Sequence, residues 1–451
     1  MPRARELSRR TVLGYSLGSV GTGGFGTLPG LLLAYYLTDL LGVAAFAASL
    51  VVLLPKLWDV AIAPFVGARS DAEQRRTGAR RRLMLLGAAT MPLLFTLMFA
   101  VPAGFGTGGA ATWVVVAFLL AATSFSCFQV PYIALPAEIT GDYGARTRLM
   151  SWRIAALAVA ILAFGGGGPA LRDAAGGGHR GYLVMGVVAG LVMGLGMLGA
   201  WWGAPRGAVA TVHASEPLRS QLRAARGNRP FVVLLGVFVL QALATGAMLA
   251  AAQYVATYVL HRESAITTLF VGLVAPAVVV MPAWARVAER TGKERAFTLA
   301  SALFLAAAVS LTALRWAPGG WVYAAVAVAG VGYAGMQTFP LAMLPDTISV
   351  DAARTGTDRA GSLAGLWTAG ETAGLAAGPA LVLVVLGLGG FVSSTSDTVA
   401  QNGSAVTGIV VAFSLVPAAL VAVSLWMWRR YPLRRSDLEA ISTRHPAEGA
   451  A

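Results

Sequence analysis

Lys56 and Asp59 stand inside the apolar run from Val43 to Val66, where an ionised side chain costs about 2.5–3.5 kcal/mol even on a lenient insertion scale. Charges are kept at such depth where they face a partner or a water-filled path, so the chemistry expected is ion coupling. A purely structural ion pair is the competing reading. Three positions apart, the two side chains share a helical face and can neutralise each other. Glu371, in Gly370-Glu371-Thr372, is a second carboxylate deep in a Gly/Ala-rich span, where a cavity role competes with helix packing. Arg153 lies near the start of another span, where substrate contact competes with snorkelling to the headgroups. Trp58, Gln129, Gln241 and Thr245 add an aromatic face, amides and a hydroxyl. In a midplane cavity such groups suit a polyhydroxylated ligand, and they equally suit hydrogen bonding between helices.

The elements that must position these residues are membrane helices. The chain of 451 residues is 57% hydrophobic and 12% charged, against about 25% charged in a soluble domain. Its mean hydropathy is +0.70. Stretches long enough to span a bilayer fall at 13–38, 43–67, 83–103, 111–135, 151–171, 181–203, 231–257, 265–285, 296–315, 321–345, 360–388 and 405–428. The fold class expected is an all-α membrane protein of twelve transmembrane helices. Of the 34 Lys and Arg residues, Arg172, Arg180, Arg262 and Arg315 fall in the outer loops and Lys56 lies mid-helix. The others collect on one side, which places both termini in the cytoplasm. The net charge of +14 therefore belongs to loops facing the cytoplasm, and nucleic acid is not an expected partner. Basic residues at the N-terminus lead into an apolar stretch too long for a cleavable signal.

The stretch 205–230 carries Arg206, Arg219, Arg223, Arg226 and Arg229 and divides the chain. The expected organisation is a six-helix bundle over 1–204, a central cytoplasmic loop over 205–230, a second bundle over 231–428 and a tail over 429–451. The halves repeat one another. Gln129, Pro131, Pro136, Glu138, Asp142 and Arg146 recur as Gln337, Pro340, Pro345, Asp346, Asp351 and Arg354, with the prolines and the pair Asp142/Asp351 offset by 209 residues. Asp71…Thr77-Gly78 is echoed by Glu289…Thr291-Gly292. Two parallel six-helix repeats are the major facilitator architecture, with alternating access between halves. Asp71, Glu138, Asp142, Arg146, Asp346, Asp351 and Arg354 all lie at cytoplasmic ends. They are expected to form gate salt bridges, with plain solvated loop charges as the alternative.

Other chemistries find no support. The four histidines lie in loops or tails without metal-ligand spacing. The run Gly165 to Gly168 is expected to end a helix at Pro169, and no Gly-Lys-Ser/Thr follows it. Cys127 is the single cysteine, so no intramolecular disulfide forms. No enzymatic activity and no cofactor are expected, and no ATP-binding module is evident.

Lys56-Leu57-Trp58-Asp59…Pro64…Gly67…Asp71, together with Val130-Pro131-Tyr132, Leu135-Pro136, Glu138-Ile139-Thr140, Asp142, Arg146 and Arg148-Leu149, resembles the glycoside–pentoside–hexuronide:cation symporters, the melibiose permease type. The resemblance covers nearly the whole chain. It implies cation-coupled uptake of sugars or glycosides, with lysolipid transporters as distant relatives. It also implies that Asp59 matches a cation-binding carboxylate and Arg153 a sugar-site arginine. Four positions depart from the pattern. Ala63 replaces a second cation-site Asp. Gly23 and Gln129 stand where sugar-binding Asp residues would be. Glu371 stands about where sugar transporters have a Lys.

These departures remove an oxygen ligand that sodium would want, while a proton needs one titratable group. The expected function is proton-coupled symport of a sugar, glycoside or related small polar molecule, with sodium the less suited ion. Asp59 would be protonated, with Lys56 and Glu371 as charge partners. Gln129, Arg153, Trp58, Gln241 and Thr245 would contact substrate. An exporter of a lipid or specialised metabolite is the alternative, and a membrane sensor lacks an output domain. The setting expected is a monomer in a cytoplasmic membrane. The bias of Arg over Lys, with abundant Ala and Gly, suggests a GC-rich bacterium.

Overall fold

The computed structural model describes residues 8–140, 143–204, 226–355, 360–395 and 399–433. Every regular element among them is helical. In chain order these are α1 (Arg9–Leu28), α2 (Ala45–Thr77), α3 (Arg81–Phe99), α4 (Thr107–Ile139), α5 (Tyr143–Ala174) and α6 (Gly178–Gly203). Then follow α7 (Arg229–Tyr258), α8 (Ala265–Thr291), α9 (Lys293–Ser310), α10 (Trp321–Thr355), α11 (Ala360–Leu388) and α12, which runs as Gly403–Phe413 and Leu415–Trp428 about Ser414. The eleven helices α2 to α12 are long and apolar enough to cross a bilayer. α1 falls short of that measure because glycines and hydroxyls break up its apolar content. It continues as two wide π-helical runs, Pro29–Leu33 and Tyr36–Leu40, whose side chains are almost all buried.

Helices outrun the apolar stretches that mark them. α2 reaches Thr77 and stops at Gly78, which takes a left-handed φ of 72° and donates its N–H to Gln74 O. One expectation fails at α5. Rather than ending at Pro169, the helix runs through it to Ala174. A proline removes one helical hydrogen bond and crowds the carbonyl four residues back. Here that residue is Gly165, whose backbone yields most easily. Arg172, expected in an outer loop, is consequently carried inside. It is 1% exposed, donates to Asp173 and Tyr182, and forms an ion pair with Asp173 at 2.7 Å.

The chain separates into two compact units. Unit 1 is Met1–His213 with Arg262–Thr267 and Leu386–Ala405, and unit 2 is the remainder. In unit 1, α1 packs on α5 and α6, α3 on α4 and α6, and α2 on α4. In unit 2, α7 packs on α12 and α10, and α9 on α10 and α12. The pairs α1–α6, α3–α4 and α3–α6 thus have counterparts in α7–α12, α9–α10 and α9–α12. Without a hydrophobic drive between helices in lipid, small residues set such contacts. A Cβ on Gly14 would meet Gly203 Cα at 2.7 Å, and one on Gly378 would meet Gly246 C at 2.3 Å.

Candidate functional site

α4 organises the site in unit 1. Thr123, Ser126, Gln129 and Tyr132 recur every third residue. At 100° per residue, steps of three drift steadily round the helix, so the stripe passes from one neighbour to another over about 13 Å of rise. Its first half faces α2. Thr123 Oγ1 accepts the Trp58 indole N–H at 2.9 Å, and Ser126 donates to the Asp59 carboxylate. Its second half faces α1. Thr22 Oγ1 donates to Gln129 Oε1 at 2.8 Å, while the Tyr132 hydroxyl donates to Tyr15 O at 2.7 Å and lies 3.2 Å from Ser19 Oγ. α5 closes this end. The Arg153 guanidinium sits 5.3 Å from the centre of the Tyr132 ring, and its backbone carbonyl accepts from Ser19 Oγ at 3.1 Å.

Lys56 and Asp59 act on each other electrostatically, as the spacing of three leads one to expect, without closing to an ion pair within 4 Å. Ion pairs among the described residues include Arg80–Asp71, Arg172–Asp173 and Lys293–Asp346. Ser126 engages the Asp59 carboxylate from α4. The Lys56 ammonium instead lies over aromatic faces, 5.2 Å from the Phe25 centroid and 5.6 Å from that of Phe118. A cation over ring faces gains electrostatic attraction without a carboxylate. Phe25, Phe118 and Phe125, which stacks on Phe25 at 4.5 Å, were not singled out in the sequence. Nothing in an apolar span marks one phenylalanine as a cation's neighbour.

Gly23 has a definite job. A Cβ there would lie 2.7 Å from Ala160 Cβ and 3.2 Å from Ile161 N. α1 approaches α5 too closely at this point to carry a carboxylate. Trp58 remains 45% exposed.

The remaining candidates are dispersed. Glu371, half-buried on α11 in unit 2, hydrogen-bonds Gln337 of α10, whose amide donates to Tyr333 OH at 3.4 Å. Gln241 and Thr245 are buried within unit 2. Gln241 donates to Ser301 of α9 and Ser424 of α12, and Thr245 to Gln241 O. The Gln241 geometry belongs to hydrogen bonding between helices, and the Thr245 bond closes within α7. Of the gate candidates, Asp71 pairs with Arg80 inside unit 1 and Asp346 with Lys293 inside unit 2. Arg354 donates to Gly227 O at 3.3 Å, and Asp351 is buried. Asp142 and the side chains of Glu138 and Arg146 lie outside the described residues.

Helices of this length and packing, with charged groups at mid-span, form a transporter's frame. The family model described as MFS/sugar transport protein matches residues 14–435. The chain belongs to that family. The glucuronide carrier protein homolog of Escherichia coli strain K12 is 26% identical over 453 residues, covering 97% of this chain and 95% of the relative. The isoprimeverose transporter of Lactiplantibacillus pentosus is 23% identical over 440 residues, covering 93% and 88%. Among solved structures, a bacterial homologue of the human drug peptide transporters PepT1 and PepT2 superposes with a TM-score of 0.65 at 14% identity, covering 95% of this chain and 99% of that one. The last likeness concerns fold alone. The resemblance to glycoside–pentoside–hexuronide:cation symporters holds, and the protein is a multi-pass membrane transporter.

Proposed function

We propose that the protein is a proton-coupled symporter of a sugar, glycoside or related small polar molecule, working by alternating access. In this reading α1 is a twelfth span, both termini are cytoplasmic, and the monomer resides in a bacterial cytoplasmic membrane. The likeness to a glucuronide carrier protein homolog and to an isoprimeverose transporter supports the substrate class.

The observation that carries the choice of ion is the setting of Asp59. It is the one acidic residue within the apolar part of α2, its carboxylate receives a hydroxyl from Ser126, and Ala63 follows one turn later without an oxygen. A carboxylate with one hydroxyl beside it is complete as a proton site. Asp59 takes the proton and Lys56 holds positive charge beside it. Glu371, with Gln337 and Tyr333, gives unit 2 a titratable group of its own. Trp58 and Gln129 contact substrate along the α4 stripe. The cytoplasmic-end charges, paired within each unit at Arg80–Asp71 and Lys293–Asp346, serve to hold each half together as it rocks.

The test is uptake of labelled glycosides into vesicles under an imposed proton or sodium gradient. Uptake driven by the proton gradient alone supports the reading. Uptake requiring sodium, and indifferent to the proton gradient, overturns the ion.

A further inference from the structure

Arg10 opens α1 beside the last turn of α6 and carries a charge that unit 1 does not answer. Its guanidinium lies 3.5 Å above the centre of the Trp202 ring, and its hydrogen bond to Trp202 O is a long 3.5 Å. Among the described residues it joins no ion pair. The acids at this end of the unit are engaged elsewhere. Asp71 pairs with Arg80, and Glu73 accepts the backbone N–H groups of Arg82 and Leu83. A guanidinium stacked on an indole face lies flat on it, with its in-plane N–H edge open to an acceptor. Both Arg10 and Trp202 are exposed. Arg81 holds the same helix end from α3, stacking on Trp201 at 4.5 Å and donating to Ala204 O at 2.7 Å.

The surface that runs into the membrane from this cation is apolar and continuous. On α1, Arg10, Leu13 and Leu17 are three and then four positions apart, and so share one face. On α6, Leu191, Leu195 and Trp202 share another, since eleven residues make close to three full turns. All four leucines are exposed. The two faces adjoin, for a Cβ on Gly203 would meet Gly14 Cα at 2.8 Å and one on Gly199 would meet Leu17 Cδ1 at 2.9 Å. From Leu191 to Trp202 the helix rises about 16 Å. One leaflet's hydrocarbon is about 15 Å thick.

We propose that this joint face of α1 and α6 seats one phospholipid of net negative charge, its phosphate on Arg10 and an acyl chain along Leu13, Leu17, Leu195 and Leu191. The phosphate oxygens accept from the open edge of the guanidinium. Trp202 then lies at headgroup level, where indoles collect. Arg9, exposed beside Arg10, adds a second positive charge at the same rim. A zwitterionic lipid would bring an ammonium that these two arginines repel, which favours the anionic headgroup.

The test uses purified full-length protein in detergent and native mass spectrometry. Phosphatidylglycerol and phosphatidylethanolamine with the same acyl chains are added in equal amounts. Wild type is expected to retain one phosphatidylglycerol in about 5-fold preference to phosphatidylethanolamine, the ratio that one Arg supplies at an anionic membrane surface. Arg10→Gln removes the preference. Arg10→Met, which keeps the stem against Trp202, has the same expected result and serves where the Gln variant does not fold. Arg430→Gln keeps the preference. Arg430 also stacks on a tryptophan, Trp426 at 4.2 Å, but at a single helix end in unit 2, so it reports whether any surface arginine would serve. Glycerol 3-phosphate, which has the phosphate without the chains, is expected not to displace the lipid at equal concentration. Equal retention of the two lipids overturns the proposal, as does a preference that survives loss of the Arg10 charge or falls equally in Arg430→Gln. Displacement by glycerol 3-phosphate overturns it as well, because that marks a site for free phosphate.

Discussion

Gln129→Glu is the substitution most revealing of how unit 1 handles charge. It is nearly isosteric, and because Thr22 donates to Gln129 Oε1, a carboxylate accepts the same bond. The bundle should therefore keep its stability. What changes is the charge balance around Arg153. Gln129 and Tyr132 are one turn apart on α4, about 5–6 Å between Cβ atoms, and Arg153 lies over Tyr132. The new carboxylate then stands about 6–9 Å from the guanidinium, which at an effective dielectric of about 20 is worth roughly 2–3 kcal/mol. Supplied internally, that energy is no longer available to a ligand, so the dissociation constant for a carboxylated glycoside should rise by about 30- to 150-fold. Its neutral counterpart loses only the Gln129 amide as a donor and should weaken by much less than the charged ligand. Titration calorimetry with phenyl β-D-glucuronide and phenyl β-D-glucoside reads both. Equal weakening of the two ligands would point to distorted packing and refute the electrostatic reasoning, as would unchanged glucuronide binding.

Three further outcomes follow from the packing. Gly378→Ala places a methyl 2.3 Å from Gly246 C, backbone against backbone, so it should cost at least the ~1–3 kcal/mol of an overpacked core and lower the melting temperature. Gln241→Ala removes the donor to Ser301 and Ser424 and should destabilise by about 1–3 kcal/mol, with the substrate dissociation constant unchanged; a large rise in that constant would restore Gln241 as a binding residue. Arg172→Met leaves the partly exposed Asp173 without its ion-pair partner and the buried Tyr182 hydroxyl without its donor and should cost about 1–3 kcal/mol, measured by thermal unfolding in detergent.

The transporter frame was readable because its causes are local. Apolar runs, basic loops and the recurrence of Pro131/Pro136 as Pro340/Pro345 need no tertiary knowledge. Partner choice was not readable. Spacing of three brings Lys56 and Asp59 within reach of each other, but Ser126 and two phenylalanines on other helices compete for them. The α4 stripe hid in plain sight, since Thr and Ser are ordinary in membrane helices and only their neighbours show that 123, 126, 129 and 132 form a set. Pro169 misled because proline ends helices more often than it is absorbed, and Gly165 before it is what allows absorption. Gln241 and Thr245 could serve cavity or core, and burial alone decides between those.

The central claim is that Asp59 carries the coupling proton, and gradient-driven flux through Asp59→Asn tests it most directly. In reconstituted vesicles the wild type should accumulate labelled glycoside under an inward proton gradient. The variant should lose that accumulation while still exchanging substrate across the membrane down its own gradient. Accumulation by Asp59→Asn at the wild-type level under the same gradient would contradict the account.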